Sequence, residues 1–230
     1  YSKRLLANYY SNRAMMHSKL NELALAEKFG YLSIRQKNSD YLFYLANLCG
    51  VLLRSGKYNI ALKLMSSSIP DLKKTNSFYN KIGFASFYIK TLVYNKMGKN
   101  AVSYASTFLD AYKKEIFATR WHLFFAAYVQ ALLSAEKYSR LLAVSKRYNL
   151  LALEKKFIDK TVYMPVLLWH NEVALYMEGR QSKEKLEETI YTSASVLLQN
   201  KYKAGRINEL LDNLSESIPS EIAVIRSRLN

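Results

Sequence analysis

The chain has 230 residues, half of them hydrophobic, and a formal net charge of +16 from 34 Lys and Arg against 18 Asp and Glu. That apolar fraction can build a substantial core and argues against a disordered chain. Seven Gly and three Pro are too few to turn an all-β fold, and a single cysteine, Cys49, excludes an intramolecular disulfide and a multi-cysteine zinc cluster.

Taken in order, the apolar spacing predicts pairs of helices. Residues 2 to 16 carry Leu5, Leu6, Tyr9, Tyr10 and Met16 on one side, and residues 20 to 34 carry Leu20, Leu23, Ala26 and Tyr31, which makes a first hairpin over about 1 to 37. Asn38, Ser39 and Asp40 offer side-chain acceptors to the next helix, so a cap near Asp40 opens hairpin two, over about 40 to 74. Its first helix carries Leu42, Leu45, Leu48, Cys49, Leu52 and Leu53, and its second Ile60, Ala61, Leu64 and Met65. Pro70 stops it near Ser68.

Asn76 and Ser77 cap an aromatic helix running to about Lys96, closed by Gly98 as a left-handed terminal residue, and a partner helix over 101 to 114 completes hairpin three, about 77 to 115. Hairpin four, about 118 to 158, pairs residues 118 to 135 with residues 138 to 156. Hairpin five, about 163 to 203, opens at Pro165, turns at Gly179 and returns through Leu186, Ile190 and Ala194, and a shorter terminal pair occupies 206 to 230. The helix-to-helix turns fall near Ser18, Tyr58, Asn100, Tyr138 and Gln181, a recurrence of about 40 residues. Two helices of about 15 residues cannot bury their own apolar face, so each pair is expected to lean on its neighbours, with one domain over 1 to 230 and a curved inner wall.

Leu45, Leu48, Gly56, Tyr58 and Ala61 in hairpin two resemble the tetratricopeptide repeat pattern of leucines, turn glycine, turn aromatic and small second-helix residue. Hairpin four keeps Tyr138 but has Glu136 and Leu141 at the glycine and small positions, hairpins three and five keep only Gly98 and Gly179, and hairpin one keeps neither. The resemblance implies a right-handed α-solenoid of about five hairpins plus a terminal pair, of a variety with a longer period than the family's usual one. It also implies binding rather than chemistry. In that family the concave face is lined by first-helix residues, which by position here are Tyr10, Arg13, Arg54, Tyr88, Asn95, Lys96, Gln130, Trp169 and Tyr176. Aromatics with a few donors suit a protein or peptide partner.

Charge is unevenly placed. Residues 1 to 160 hold 26 Lys and Arg against 9 Asp and Glu, whereas residues 161 to 230 hold 8 against 9. Basic pairs recur near second-helix ends as Arg35 with Lys37, Lys73 with Lys74, Lys113 with Lys114, and Lys155 with Lys156. Such a basic edge either complements the helix dipoles or contacts successive phosphates of a nucleic acid or other polyanion, and both readings stand at this point.

Residues that would carry chemistry are absent from the sequence pattern. His17, His122 and His170 are far apart and lack metal-ligand spacing; the single glycines form no phosphate loop; and Glu184, Glu187 and Glu188 lie among lysines at ordinary helical pairing distances. The expectation is a non-enzymatic module without metal or cofactor. The longest apolar run, 123 to 133, is about half a membrane span and is broken by Gln130. No signal-peptide build precedes it, so a soluble, cytoplasmic protein is expected. Since the sequence opens at Tyr1 rather than Met, it is read as part of a longer polypeptide, the interaction or sensing part of a regulatory or assembly protein.

Overall fold

The computed structural model describes residues 2–158, 165–199 and 204–230, and among these every regular element is helical. In order they are α1 Lys3–Lys19, α2 Leu23–Ile34, α3 Tyr41–Arg54, α4 Tyr58–Ser67, a 3-10 segment Ile69–Lys73, α5 Phe78–Tyr94, α6 Gly98–Thr119, α7 Trp121–Ser134, α8 Tyr138–Arg147, α9 Leu150–Ile158, α10 Val166–Met177, α11 Lys183–Leu198, α12 Ala204–Ser215 and α13 Pro219–Leu229. The all-α reading holds. The chain forms two compact units, one running through Ala131 and the other from Leu132, with the division inside α7. The outer bounds expected for hairpin five, 163 and 203, lie outside the described residues.

A repeat is visible in the backbone. The helices α1, α3, α5, α7 and α10 all end on a residue with positive φ: Asn21 (61°), Gly56 (71°), Lys96 (59°), Glu136 (55°) and Gly179 (67°). In each case that residue's N–H bonds to the carbonyl three back, as in Gly56 to Leu53, and the next N–H reaches five back, as in Lys57 to Leu52. The same two bonds recur as Asn21 to Ser18 with Glu22 to His17, Lys96 to Val93 with Met97 to Leu92, Glu136 to Leu133 with Lys137 to Leu132, and Gly179 to Tyr176 with Arg180 to Leu175. This is the Schellman closure, which satisfies carbonyls that a helix end would leave open. Successive closures are separated by 35, 40, 40 and 43 residues. Five residues after the first four stands a side chain with no exposed surface, Ala26, Ala61, Ala101 and Leu141. After Gly179 the chain adds two residues, caps α11 with the Ser182 hydroxyl accepting from the Lys185 N–H, and buries Leu186.

Gly98 is therefore not the left-handed residue of hairpin three. Lys96 takes that conformation, and Gly98 is buried as the first residue of α6. The cap expected at Asp40 is also replaced. Asn38 Oδ1 accepts from the Asp40 N–H at 2.8 Å, while the Asp40 carboxylate takes Arg4 at 2.9 Å and Asn80 Nδ2 at 3.3 Å. Ser77 does cap α5, accepting from the Asn80 N–H. The second helix of hairpin four, expected unbroken over 138 to 156, divides at Asn149, whose φ of 49° suits an Asn side chain. The helix expected to stop near Lys114 runs on as α6 to Thr119 through a kink at Tyr112.

Within the first unit, α1 packs on α2 and α3, α3 on α2, α4 and α5, and α5 on α4 and α6. Side-chain bonds tie residues one repeat apart: Tyr44 Oη donates to Asn8 Oδ1 at 2.8 Å, Asn47 Nδ2 to Ser11 Oγ at 3.1 Å, and Asn95 Nδ2 to the Tyr58 carbonyl at 3.0 Å. Leu42, Leu45, Leu48, Cys49 and Leu52 of α3 form the centre of the core with Ala61 and Met65 of α4 and Phe84 of α5. Gly30 and Gly50 let the helices approach, since a Cβ there would lie 2.7 Å from Leu48 Cδ1 and 2.8 Å from Phe87 Cε1 respectively. In the second unit, α10 packs on α8, α9 and α11, and α11 packs on α12 and α13.

Candidate binding surface

The first unit carries seven of the nine residues expected on the inner wall, five on first helices and Asn95 and Lys96 in the turn that closes α5, and their environments differ. Tyr10 is half-buried and stacks on Phe29 at 6.2 Å, and the half-buried Arg13 lays its guanidinium over the same ring at 5.1 Å. Tyr88 is half-buried, with Tyr104 edge-on at 4.9 Å. Burial of the Tyr104 hydroxyl, with Tyr88 and Tyr112 beside it, raises its pKa. Arg54 is committed to the fold, donating to the Ser18 carbonyl and to Ser18 Oγ at 2.6 Å, which closes the end of α1. Gln130 is only 9% exposed.

Asn95 and Lys96 are brought together with residues the sequence did not single out as a site. A groove of about 310 Å3 is lined by Gly56, Lys57, Tyr58, Asn59, Ile60, Tyr94, Asn95 and Lys96. The Tyr58 and Tyr94 rings stack at 5.1 Å across it, and Lys57 pairs with Glu27 at 2.6 Å. The groove joins two successive helix-closing turns, so the signal that could have found it was the tyrosine beside each turn.

In the second unit, Trp169 has no exposed surface; its indole N–H donates to Ser193 Oγ at 2.7 Å, and the ring has no face to offer a ligand. Tyr176 is half-buried and donates to Glu221 at 3.0 Å, which raises its pKa. A buried carboxylate escaped the sequence reading. Glu154 of α9, 7% exposed, accepts from the Leu167 and Leu168 N–H groups at 2.9 and 2.8 Å, at the amino end of α10. Burial pushes its pKa up to about 7, opposed by those backbone donors. Its chemistry is that of a helix cap supplied from another helix.

The eight cations of the basic edge are all exposed, and Lys74 pairs with Asp71 at 3.0 Å. Among the described residues no cluster of His, Cys, Asp or Glu could hold a metal ion, and no helix is long and apolar enough to cross a membrane. Burial lowers the His122 pKa to about 4, with Arg120 adding to the shift, and raises the Cys49 thiol to about 12, so the one is neutral and the other unreactive near pH 7. Compared with family models, with curated proteins and with solved structures, the chain matches none of them.

Proposed function

We propose that the chain is a non-enzymatic helical-repeat module, a right-handed solenoid of the tetratricopeptide type, that binds a protein or peptide through its first-helix face. The observation that carries this reading is the side-by-side placement of α1, α3 and α5 by bonds between residues one repeat apart, since such an array presents equivalent side chains at regular intervals to an extended partner. Tyr10, Arg13 and Tyr88 are the contact residues favoured by this reading, being half-buried rings and a guanidinium held in place by their neighbours. Asn95 and Lys96 extend the surface toward the Tyr58–Tyr94 groove. The module serves as the interaction or sensing part of a larger regulatory or assembly protein.

The test is selection of a displayed random-peptide library on the wild-type protein. Enriched peptides should bind at least about tenfold more weakly to a Tyr10→Ala, Arg13→Glu, Tyr88→Ala variant whose helical content is unchanged. Equal binding to that variant, or no enrichment at all, would contradict the assignment.

A second reading draws on the exposure of all eight basic-edge cations, which suits a nucleic acid or other polyanion. Reversing Lys73, Lys74, Lys113 and Lys114 to Glu should then abolish retention on single-stranded RNA and flatten its salt dependence, and unchanged retention removes this reading.

A further inference from the structure

We infer that the amino end of α5 binds a single-stranded nucleic acid, with bases stacking on Phe78 and Tyr79 and flanking phosphates meeting Lys73, Lys74, Lys113 and Lys114. The inference deepens the polyanion reading above and rests on it. It adds what a row of cations lacks, a place for bases.

Phe78 and Tyr79 open α5 and are 40% and 49% exposed. Neither ring is loose. Phe78 meets the Tyr112 ring of α6 at 6.0 Å, and Lys81 Nζ stands 5.4 Å from both ring centroids. Tyr79 carries the Arg120 guanidinium 3.8 Å from its centroid and has the Phe43 ring 6.4 Å away. Neighbours thus fix both rings while a large part of each stays open, so a base can stack without first ordering them.

The same contacts bring two of the basic pairs to these rings. Lys74 precedes Phe78 by four residues, at most about 14 Å of chain, and Lys113 follows Tyr112 directly. All four lysines of the two pairs are exposed. Over 71 to 81 and 110 to 120, six Lys and Arg stand against three Asp and Glu, and one of the three, Asp71, is held by Lys74 at 3.0 Å. Lysine is depleted from protein interfaces, whereas open rings bordered by cations make a platform for single strands. A duplex offers no open base faces, which limits the ligand to unpaired nucleotides.

The experiment is fluorescence anisotropy at low salt with a labelled oligouridylate and an abasic phosphodiester of equal length and charge. Wild type should bind the oligouridylate at least about tenfold more tightly, and Phe78→Ala with Tyr79→Ala should remove that difference while leaving the abasic binding unchanged. Because Tyr79 also packs on Arg120, a second variant, Phe78→Leu with Tyr79→Leu, keeps apolar bulk and should lose the difference in the same way at wild-type helical content. Equal wild-type binding of the two strands, or a folded ring variant that keeps the preference for bases, would overturn the inference and leave the polyanion reading standing. Binding of neither strand, or binding of both that survives reversal of Lys73, Lys74, Lys113 and Lys114 to Glu, would remove that reading and the inference with it. Ring variants that release a peptide selected on the wild type, yet hold oligouridylate as before, would give the rings to a protein partner and overturn the inference.

Discussion

The two units solve the same packing problem with different materials. Through Ala131 the chain has 19 Lys and Arg against 6 Asp and Glu; from Leu132 it has 15 against 12. The first unit joins successive first helices by neutral bonds, Tyr44 to Asn8 and Asn47 to Ser11, by a single carboxylate, Asp40, that takes Arg4 and Asn80, and by an apolar centre on α3. The second uses carboxylates: Glu154 caps α10, Glu221 meets Tyr176 and Lys183, Glu188 meets Arg228, and Asp212 meets Arg226. Few acids in the first unit leave its cations to the surface, whereas acids in the second are drawn into its internal contacts. The lesson is that one backbone closure, repeated five times, tolerates quite different cohesion between the helices it links.

The largest expected effect separates the units by their cores. Phe84→Ala, at a fully buried ring, should destabilise the first unit by about 3–5 kcal/mol, and hydrogen exchange should report the loss of protection in α3 to α5. Ring loss that left those amides protected would show that the α3 centre does not hold the unit together.

Next comes pH, which should act on the second unit through Glu154. Its folded pKa of about 7 lies above the ordinary 4.5, so its stabilising contribution is full below about pH 4.5 and is lost as pH rises through about 7. Between pH 5.5 and 8 the wild type should lose about 1–3 kcal/mol that a Glu154→Gln variant does not lose, read as the difference between their denaturation midpoints. Parallel pH curves for the two proteins would remove Glu154 from the account.

A comparable effect tests the small residue of the repeat. Ala61→Leu should cost about 1–3 kcal/mol, because the first unit closes its second hairpin on a residue with no exposed surface and no space beside α3. Leu141 occupies the same register in the second unit, where the larger side chain is equally buried. The smallest effect is a gain: Lys96→Gly should stabilise the first unit by about 0.5–1 kcal/mol, since glycine accepts a φ of 59° without a Cβ clash. A loss of stability on that change would mean that the Lys96 side chain matters more than its backbone.

How much of this was written in the sequence depends on what kind of residue marks each feature. The second hairpin was legible because Gly56 occupies its left-handed position and Ala61 its close approach, both by residue type alone. The third closes two residues before the expected Gly98, because Lys96, a side chain that ordinarily avoids positive φ, takes the place that residue type assigns to a glycine. The break at Asn149 was invisible because Leu150 and Leu151 continue the apolar spacing across it, so periodicity alone runs α8 into α9. For the candidate surface, sequence gives the side of a helix but not its depth: Trp169 lies on a first helix as read, yet it is fully buried against Ser193. The seating role of Arg54 was equally hidden, since its partner Ser18 is 36 residues away.

The most direct test of stacked two-helix repeats is a pair of cysteines across one repeat step, Ser11→Cys with Asn47→Cys in a Cys49→Ser background, oxidised and read by mass spectrometry. The Asn47 amide reaches the Ser11 hydroxyl at 3.1 Å, so these neighbouring positions of α1 and α3 should form the disulfide in preference, while Ser11→Cys with Lys90→Cys, which joins α1 to α5, should give none. Linkage of α1 to α5 in preference to α3 would contradict the repeat and favour helices gathered about a single centre.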